Sequence, residues 1–315
     1  MKPLSEEVLR QLSALAAAPA VPGERYEIEE LVGSGGMGTV WRARDRELER
    51  HVAIKVMHDA RDSAAFAQRL LNEARTIARL EHPSIPPVHE IGTLADGRAF
   101  YVMKFVAGTT LRRASFPSPH AALRLFLRLC ETVAYAHEHG VVHRDLKPDN
   151  VMLGALGELY VMDWGIAGAL QSGPVNRGAE SGAAGTPGFM APEQARTIDA
   201  PVDARADVFA LGGILAFLVT GRGPSASGEL ELGALPRRLA AVIETARARE
   251  PRERYPSALE LARDVEAYLD LGSLRAYREG VLERAGRFLA KHQFLAWLVV
   301  GYLTLRMLVF LFYRR

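Results

Sequence analysis

No stretch of the chain limits the fold more than the glycine cluster Gly33-Ser34-Gly35-Gly36-Met37-Gly38 and the residues directly after it. The spacing G-x-G-x-x-G serves more than one kind of nucleotide site, and glycines also serve plain tight turns. In a dinucleotide-binding βαβ unit a helix begins after the last glycine, so that its N-terminus meets the pyrophosphate. Here Thr39-Val40-Trp41-Arg42-Ala43 comes next, β-branched and alternating, which predicts a second strand. The cluster reads as a strand–loop–strand hairpin whose backbone can lie over phosphates. A Rossmann-type oxidoreductase is disfavoured, since the chain shows no βαβ pattern. The next strand, Val52-Ala53-Ile54-Lys55, carries a lysine. Such a lysine commonly marks an edge, but behind a glycine hairpin it can reach phosphates as a point charge. It then needs a carboxylate. Glu73 is the obvious one, on a helix predicted over Asp62–Leu80 from Phe66, Leu70, Ile77 and Leu80; it equally suits a solvated helix face.

Up to Val106 the chain reads as strands, including Phe100–Val106, with one helix. After Ser118 long helices take over, at Pro119–Gly140 and Asp207–Thr220. A small β-rich part followed by a larger helical part predicts an α+β chain with two lobes, and 315 residues suffice for them. A 49% hydrophobic, 24% charged composition excludes a disordered or fibrous chain. A net charge of +2 gives no reason to expect a nucleic-acid partner. The single cysteine, Cys130, lies in an apolar run and excludes an internal disulfide framework or a Cys-based zinc site. It reads as a packing residue, and the low count fits a reducing compartment. Residues 1–25 form an N-terminal extension. Met1–Ala18 lacks the unbroken apolar core of a secretory signal and reads as a short amphipathic helix or a loose leader.

The strongest signal is His143-Arg144-Asp145-Leu146-Lys147-Pro148-Asp149-Asn150, with Asp163-Trp164-Gly165 thirteen residues after Asn150 and Ala191-Pro192-Glu193 beyond. Together with the glycine loop and Val-Ala-Ile-Lys, this ordered set resembles protein kinases of the bacterial eukaryotic-like (Hanks-type) serine/threonine branch, over Tyr26–Leu271. The resemblance implies a bilobal fold, with an N-lobe at 26–106 and a C-lobe at 107–271. It also implies transfer of the ATP γ-phosphate to protein serine or threonine hydroxyls, with ATP and Mg2+ as cofactors. Phosphoryl transfer passes through a loose transition state, so the protein mainly positions groups and neutralises charge. By resemblance, Asp145 accepts or orients the hydroxyl proton, and Lys147 stands beside the transferred phosphate. Asp163 binds the magnesium that bridges the phosphates, and Asn150 holds a second; hard oxygen ligands suit that ion. Gly33 to Gly38, with Ser34, Gly35, Gly36 and Met37 between them, cover the phosphates. Lys55 contacts the α- and β-phosphates, and Glu73 fixes Lys55. Val40 and Ala53 cap the adenine, Met152 lies beneath it, and Met103 aligns with the gatekeeper. The backbone of Lys104 and Val106 meets the adenine edge. Asp207 anchors the catalytic loop, and Glu193 pairs with Arg254. Lys147 and Thr186 follow the serine/threonine pattern.

Two departures stand out. Trp164 replaces the usual phenylalanine and can still pack. The stretch Thr220–Leu239 predicts a shortened or missing helix, which leaves substrate-docking surfaces open. A nucleotide-binding pseudokinase acting as a membrane scaffold is the rival function, and the filled catalytic positions argue against it. The segment Ile166–Met190 is rich in glycine and alanine and contains Ser172, Ser181 and Thr186. Autophosphorylation there, with Arg144 pairing the phosphate and a homodimer acting in trans, is one reading. A loop that orders without phosphate is the other.

Phe294–Tyr313 spans 20 residues with Arg306 as its one charge, which predicts a transmembrane helix. A core helix is the alternative, but the kinase-like region ends before Leu271. Arg306 costs roughly 2.5–3.5 kcal/mol at a bilayer centre unless it snorkels or pairs. Residues 272–293 predict a basic juxtamembrane helix with Arg275, Arg278, Arg284, Arg287 and Lys291. The positive-inside rule then sets a single-pass inner-membrane protein with its kinase domain in the cytoplasm. With two residues beyond the span, no outer sensor domain is expected. The expected partners are ATP, protein substrates and the membrane.

Overall fold

Period-two alternation builds the first lobe as a two-faced sheet. The structure, a computed structural model, describes residues 18–19, 21, 24–35, 38–57, 74–75, 77–164, 188–196, 203–225, 227–291 and 293–314. Gly36, Met37, Glu73, Ser172, Ser181 and Thr186, which the sequence singles out, lie outside the described residues, as do residues 1–17. Five antiparallel strands, β1 (Tyr26–Gly35), β2 (Gly38–Asp45), β3 (Arg50–Met57), β4 (Val88–Thr93) and β5 (Ala99–Lys104), lie in the order β1-β2-β3-β5-β4. The register sets Lys55 between Val40 and Tyr101, and Ala53 opposite Met103. Successive side chains point to opposite faces. Trp41, Ala43, Val52, Ile54, Val56, Phe100 and Val102 therefore form one buried apolar layer, while Val40, Ala53, Tyr101 and Met103 cluster on the other face. A one-residue slip would drive Lys55 into the apolar layer. Gly38 cannot carry a side chain, because a Cβ there would collide with the Val56 carbonyl oxygen. β5 ends at Lys104, so Val106 belongs to the connection between lobes and not to the predicted strand.

The second lobe begins with β6 (Gly108–Thr110), which joins β7 (Val151–Gly154) and β8 (Leu159–Val161) in a three-stranded sheet. Helix α1 (Pro119–Glu138) starts where Ser118 Oγ accepts the Ala121 N–H at 3.2 Å and Pro119 occupies the first turn. It stops short of Gly140, whose φ of +75° turns the chain away. Then come α2 (Pro192–Arg196), α3 (Arg205–Thr220), α4 (Arg237–Ala246) and α5 (Ala258–Leu269). Helix α3 is buried without a break from Ala206 to Ala216, so it is a central helix and not an amphipathic one. Phe126, Leu129 and Val133 of α1, Val242 and Ile243 of α4, and Leu261 and Val265 of α5 share its core. Each such buried side chain contributes about 1.5–3 kcal/mol. Cys130 is wholly buried there, which pushes its thiol pKa up. Between α3 and α4 the described residues form no helix.

The last elements are α6 (Val281–Lys291) and α7 (Gln293–Tyr313). The predicted span does form a helix. Among the described residues, however, no helix is long and apolar enough to cross a membrane. Nor is Arg287 a free member of the basic flank. It donates to the buried Glu279 carboxylate (2.8 Å from Nε), which Arg238 also approaches at 3.0 Å.

Candidate active site

Lys55 crosses from β3 toward the second lobe, and its Nζ donates to Asp163 Oδ1 at 2.6 Å. The lysine side chain is 5% exposed and the aspartate side chain 35%. Burial disfavours the ammonium, but Tyr101 and Asp163 outweigh it and raise the Lys55 pKa. Burial likewise opposes the Asp163 carboxylate. The charge and hydrogen bond of Lys55, helped by His143 and Lys147, hold its pKa below the usual value. Asp163 adopts φ +56°, a left-handed conformation that costs a non-glycine residue roughly 1–2 kcal/mol. Its neighbour Trp164 is buried, donates from Nε1 to Val161 O at 2.8 Å, and packs 4.9 Å from the His143 ring. The larger aromatic is thus accommodated.

The catalytic stretch is held from three sides. Asp145 Oδ2 accepts from Lys147 Nζ at 2.8 Å and from Asn150 Nδ2 at 3.1 Å, and the same amide nitrogen donates to Asp145 O at 2.8 Å. The buried Asp207 accepts the N–H groups of His143 (2.7 Å) and Arg144 (2.8 Å), and lies 2.7 Å from His137 Nε2. Burial opposes the Asp207 charge, but His137, His143 and these bonds lower its pKa. Arg144, at φ +67°, takes its strained turn on that anchor. His143 Nε2 lies 2.8 Å from Met162 O, and Met162 N–H donates to Asn150 O at 2.8 Å. These two bonds bring Asp163 beside the Asp145 loop.

Val40, Ala53 and Met103 share an apolar cluster with Met162, beneath the hairpin. Met152 stands in the adjoining small sheet, opposite Thr110 and Tyr160. Lys104 N–H donates to Pro87 O at 3.1 Å, so an adenine contact at this residue would use its carbonyl. Its side chain is occupied elsewhere, with Nζ 2.6 Å from Tyr160 Oη.

Glu193 holds Arg254 through two bonds of 2.7 Å, and the Arg254 side chain is fully buried. Gln194 donates to Arg144 O at 2.8 Å and accepts the Ala191 N–H at 3.1 Å. Sequence reasoning did not find Gln194, His137 or Tyr101. Tyr101 shows only as an aromatic in an apolar strand, His137 as one polar residue on a helix, and Gln194 as the residue after Ala-Pro-Glu.

Among the described residues, no three His, Cys, Asp or Glu side chains converge as a metal cage. Magnesium is commonly held by one or two protein oxygens plus substrate phosphates. Asp163 is open to the cleft, and Asn150, its amide nitrogen engaged, has Oδ1 left to offer. The two residues fit that ion.

Residues 26–265 match the protein kinase domain family. The serine/threonine-protein kinase PknD of Protochlamydia amoebophila is 32% identical over 301 residues, covering 79% of this chain and 30% of that protein. The serine/threonine-protein kinase PknB of Mycobacterium tuberculosis is 34% identical over 273 residues, covering 78% of this chain and 43% of that one. The chain therefore spans less than half the length of these curated relatives. The crystal structure of the Mycobacterium tuberculosis PknI kinase domain superposes with a TM-score of 0.63 at 27% identity, covering 79% of this chain and 98% of that one.

Proposed function

Because the chain belongs to the protein kinase family, we propose that it transfers the γ-phosphate of ATP to serine or threonine hydroxyls of proteins. The observation that carries this reading is the Lys55–Asp163 pair, held beside an Asp145 that is itself held by Lys147 and Asn150. Asp145 takes the proton of the incoming hydroxyl. Lys147, already bonded to Asp145, neutralises charge on the transferred group. Lys55 orients the phosphates, and its burial makes that charge effective. Magnesium, held by Asp163 and Asn150, would supply further neutralisation of the triphosphate. Incorporation of labelled phosphate from ATP into protein tests the reading. Wild type should label and Asp145→Ala should not; no labelling by wild type would favour the pseudokinase scaffold, and equal labelling by both would remove Asp145 from the reaction.

Autophosphorylation between two copies of the chain, at Ser172, Ser181 or Thr186, is part of the same proposal. Phosphate-free loops on active protein, by mass spectrometry, would remove it.

A single-pass membrane anchor at 294–313, with the kinase domain in the cytoplasm, is also proposed. Its support is the 21-residue length of α7 and the exposure of its described apolar side chains, Trp297 and Phe312 among them. Helix α6 adds to it. Its apolar residues Val281, Leu282 and Phe288 face outward while Glu283 and Arg287 bond back to Tyr277 and Glu279. Glu283, Arg284 and Lys291 are exposed on the same helix, and a helix that presents apolar and basic side chains together suits a lipid interface. Release by alkaline wash as a soluble monomer would defeat the anchor.

A further inference from the structure

One side chain ties together three segments that meet where the described residues between α3 and α4 form no helix. Arg247, directly after α4, donates from Nη2 to Gly188 O at 2.9 Å and to Gly228 O at 3.0 Å. Its guanidinium lies over the Phe209 ring, 4.1 Å from the centroid. Two glycines of α3 make the room. A Cβ on Gly212 would meet Arg247 Cγ at 2.7 Å, and one on Gly213 would meet Nη1 at 2.8 Å. Arg254 lies over the same ring at 4.9 Å, but Glu193 neutralises it. Arg247 is held by carbonyl oxygens and an aromatic face, and its Nη1 is buried without a hydrogen-bond partner. Burial, and then the like charge of Arg254, lower its pKa to about 10.

Its contacts point to the substrate side of the site. Gly188 sits at φ +93°, where a Cβ would collide with Ser225 O, so this backbone is pressed against the 221–228 loop. Gly188 opens the segment 188–191, which Gln194 ties to the catalytic loop at Arg144. Through Gln194 that segment lies beside the loop that carries Asp145, where the hydroxyl of a polypeptide substrate would arrive. We propose that Arg247 is a positioning residue for the protein substrate. It clamps segment 188–191 against Ser225 and Gly228 of the connection after α3. This role rests on the kinase reading above. The contacts of Arg247 do not include Lys55 or Asp163, so its loss acts on peptide binding and spares the nucleotide.

The test compares Arg247→Met, which keeps the stem and removes both bonds, with Arg247→Lys, a single point donor, in the full chain in detergent. In the methionine variant the KM for a serine or threonine peptide should rise about tenfold or more, and in the lysine variant by less. The ATP KM and peptide-independent ATP hydrolysis should stay within about twofold of wild type. Amide exchange of segment 188–191 should quicken, with α5 unchanged. Peptide and ATP parameters falling together, or an unchanged peptide KM with unchanged exchange, would overturn the proposal. Should the methionine variant fail to fold, the lysine variant carries both readouts. A wild type without phosphoryl transfer would defeat the kinase reading alone, while the exchange measurement would still decide the clamp.

Discussion

Lys55 Nζ and Asp163 Oδ1, 108 residues apart in the chain, meet at 2.6 Å across the cleft between the sheet and the helical lobe. Removing a preorganised donor of this kind costs about 10²–10³ in turnover. Lys55→Met should lose that much phosphoryl transfer, read from steady-state kinetics with a peptide substrate. Retention of more than about half the wild-type rate would show that this pair is not part of the chemistry.

The same pair sets a pH window. The Asp163 pKa is lowered, so its contribution is present above the ordinary carboxylate pKa of about 3.9 and is lost as pH falls through the folded value. The Lys55 pKa is raised, so its contribution is present below about 10.4 and is lost as pH rises through the folded value. Between roughly pH 5 and 9 the pair should not titrate. A pH–rate transition inside that window that vanishes in Lys55→Met would contradict this.

Asp145→Asn keeps the shape of the side chain and removes the carboxylate that the proposed transfer uses. Turnover should fall by about 10²–10⁴. Thermal unfolding should shift little, because Asp145 keeps its backbone bond from Asn150. A large drop in melting temperature would assign Asp145 a structural role instead.

Asp207→Ala would orphan the N–H groups of His143 and Arg144 and leave His137 without its acceptor. A loss of about 3–5 kcal/mol is expected in urea unfolding. The Asp207 pKa is lowered, so in wild type this stability is full above the ordinary carboxylate pKa and fades as pH falls through the folded value. Asp207→Ala should show a weaker dependence on acid over that range.

Glu193→Ala leaves the fully buried Arg254 guanidinium without its carboxylate. The expected cost is again about 3–5 kcal/mol. Replacing both partners by apolar residues should cost less than Glu193→Ala alone, and the double-mutant comparison checks it.

The hairpin was legible because alternation from Thr39 to Val56 is a local property, and only one register buries Trp41, Ile54 and Val102 together. That Asp145, Asn150 and Asp163 share one site was legible because a loop with that residue order resembles a known family. Boundaries were less so. The length of β5 and the end of α1 depend on a connection and a glycine turn that periodicity does not register.

Residue order alone specifies which faces of the sheet are apolar, where the ionisable groups of the site lie along the chain, and that a long apolar segment follows residue 293. Which groups meet is a property of the folded chain. Residue types suggest Glu73 as a partner of Lys55, and Glu73 lies outside the described residues; that Asp163 meets the lysine is a property only folding shows. The triple hold on Asp207, the bridge at Gln194 and the clamp at Arg247 likewise join residues 19 to 70 positions apart. Such contacts leave no periodic trace, because a hydrogen bond depends on distance in space and a hydrophobic pattern records only distance along the chain.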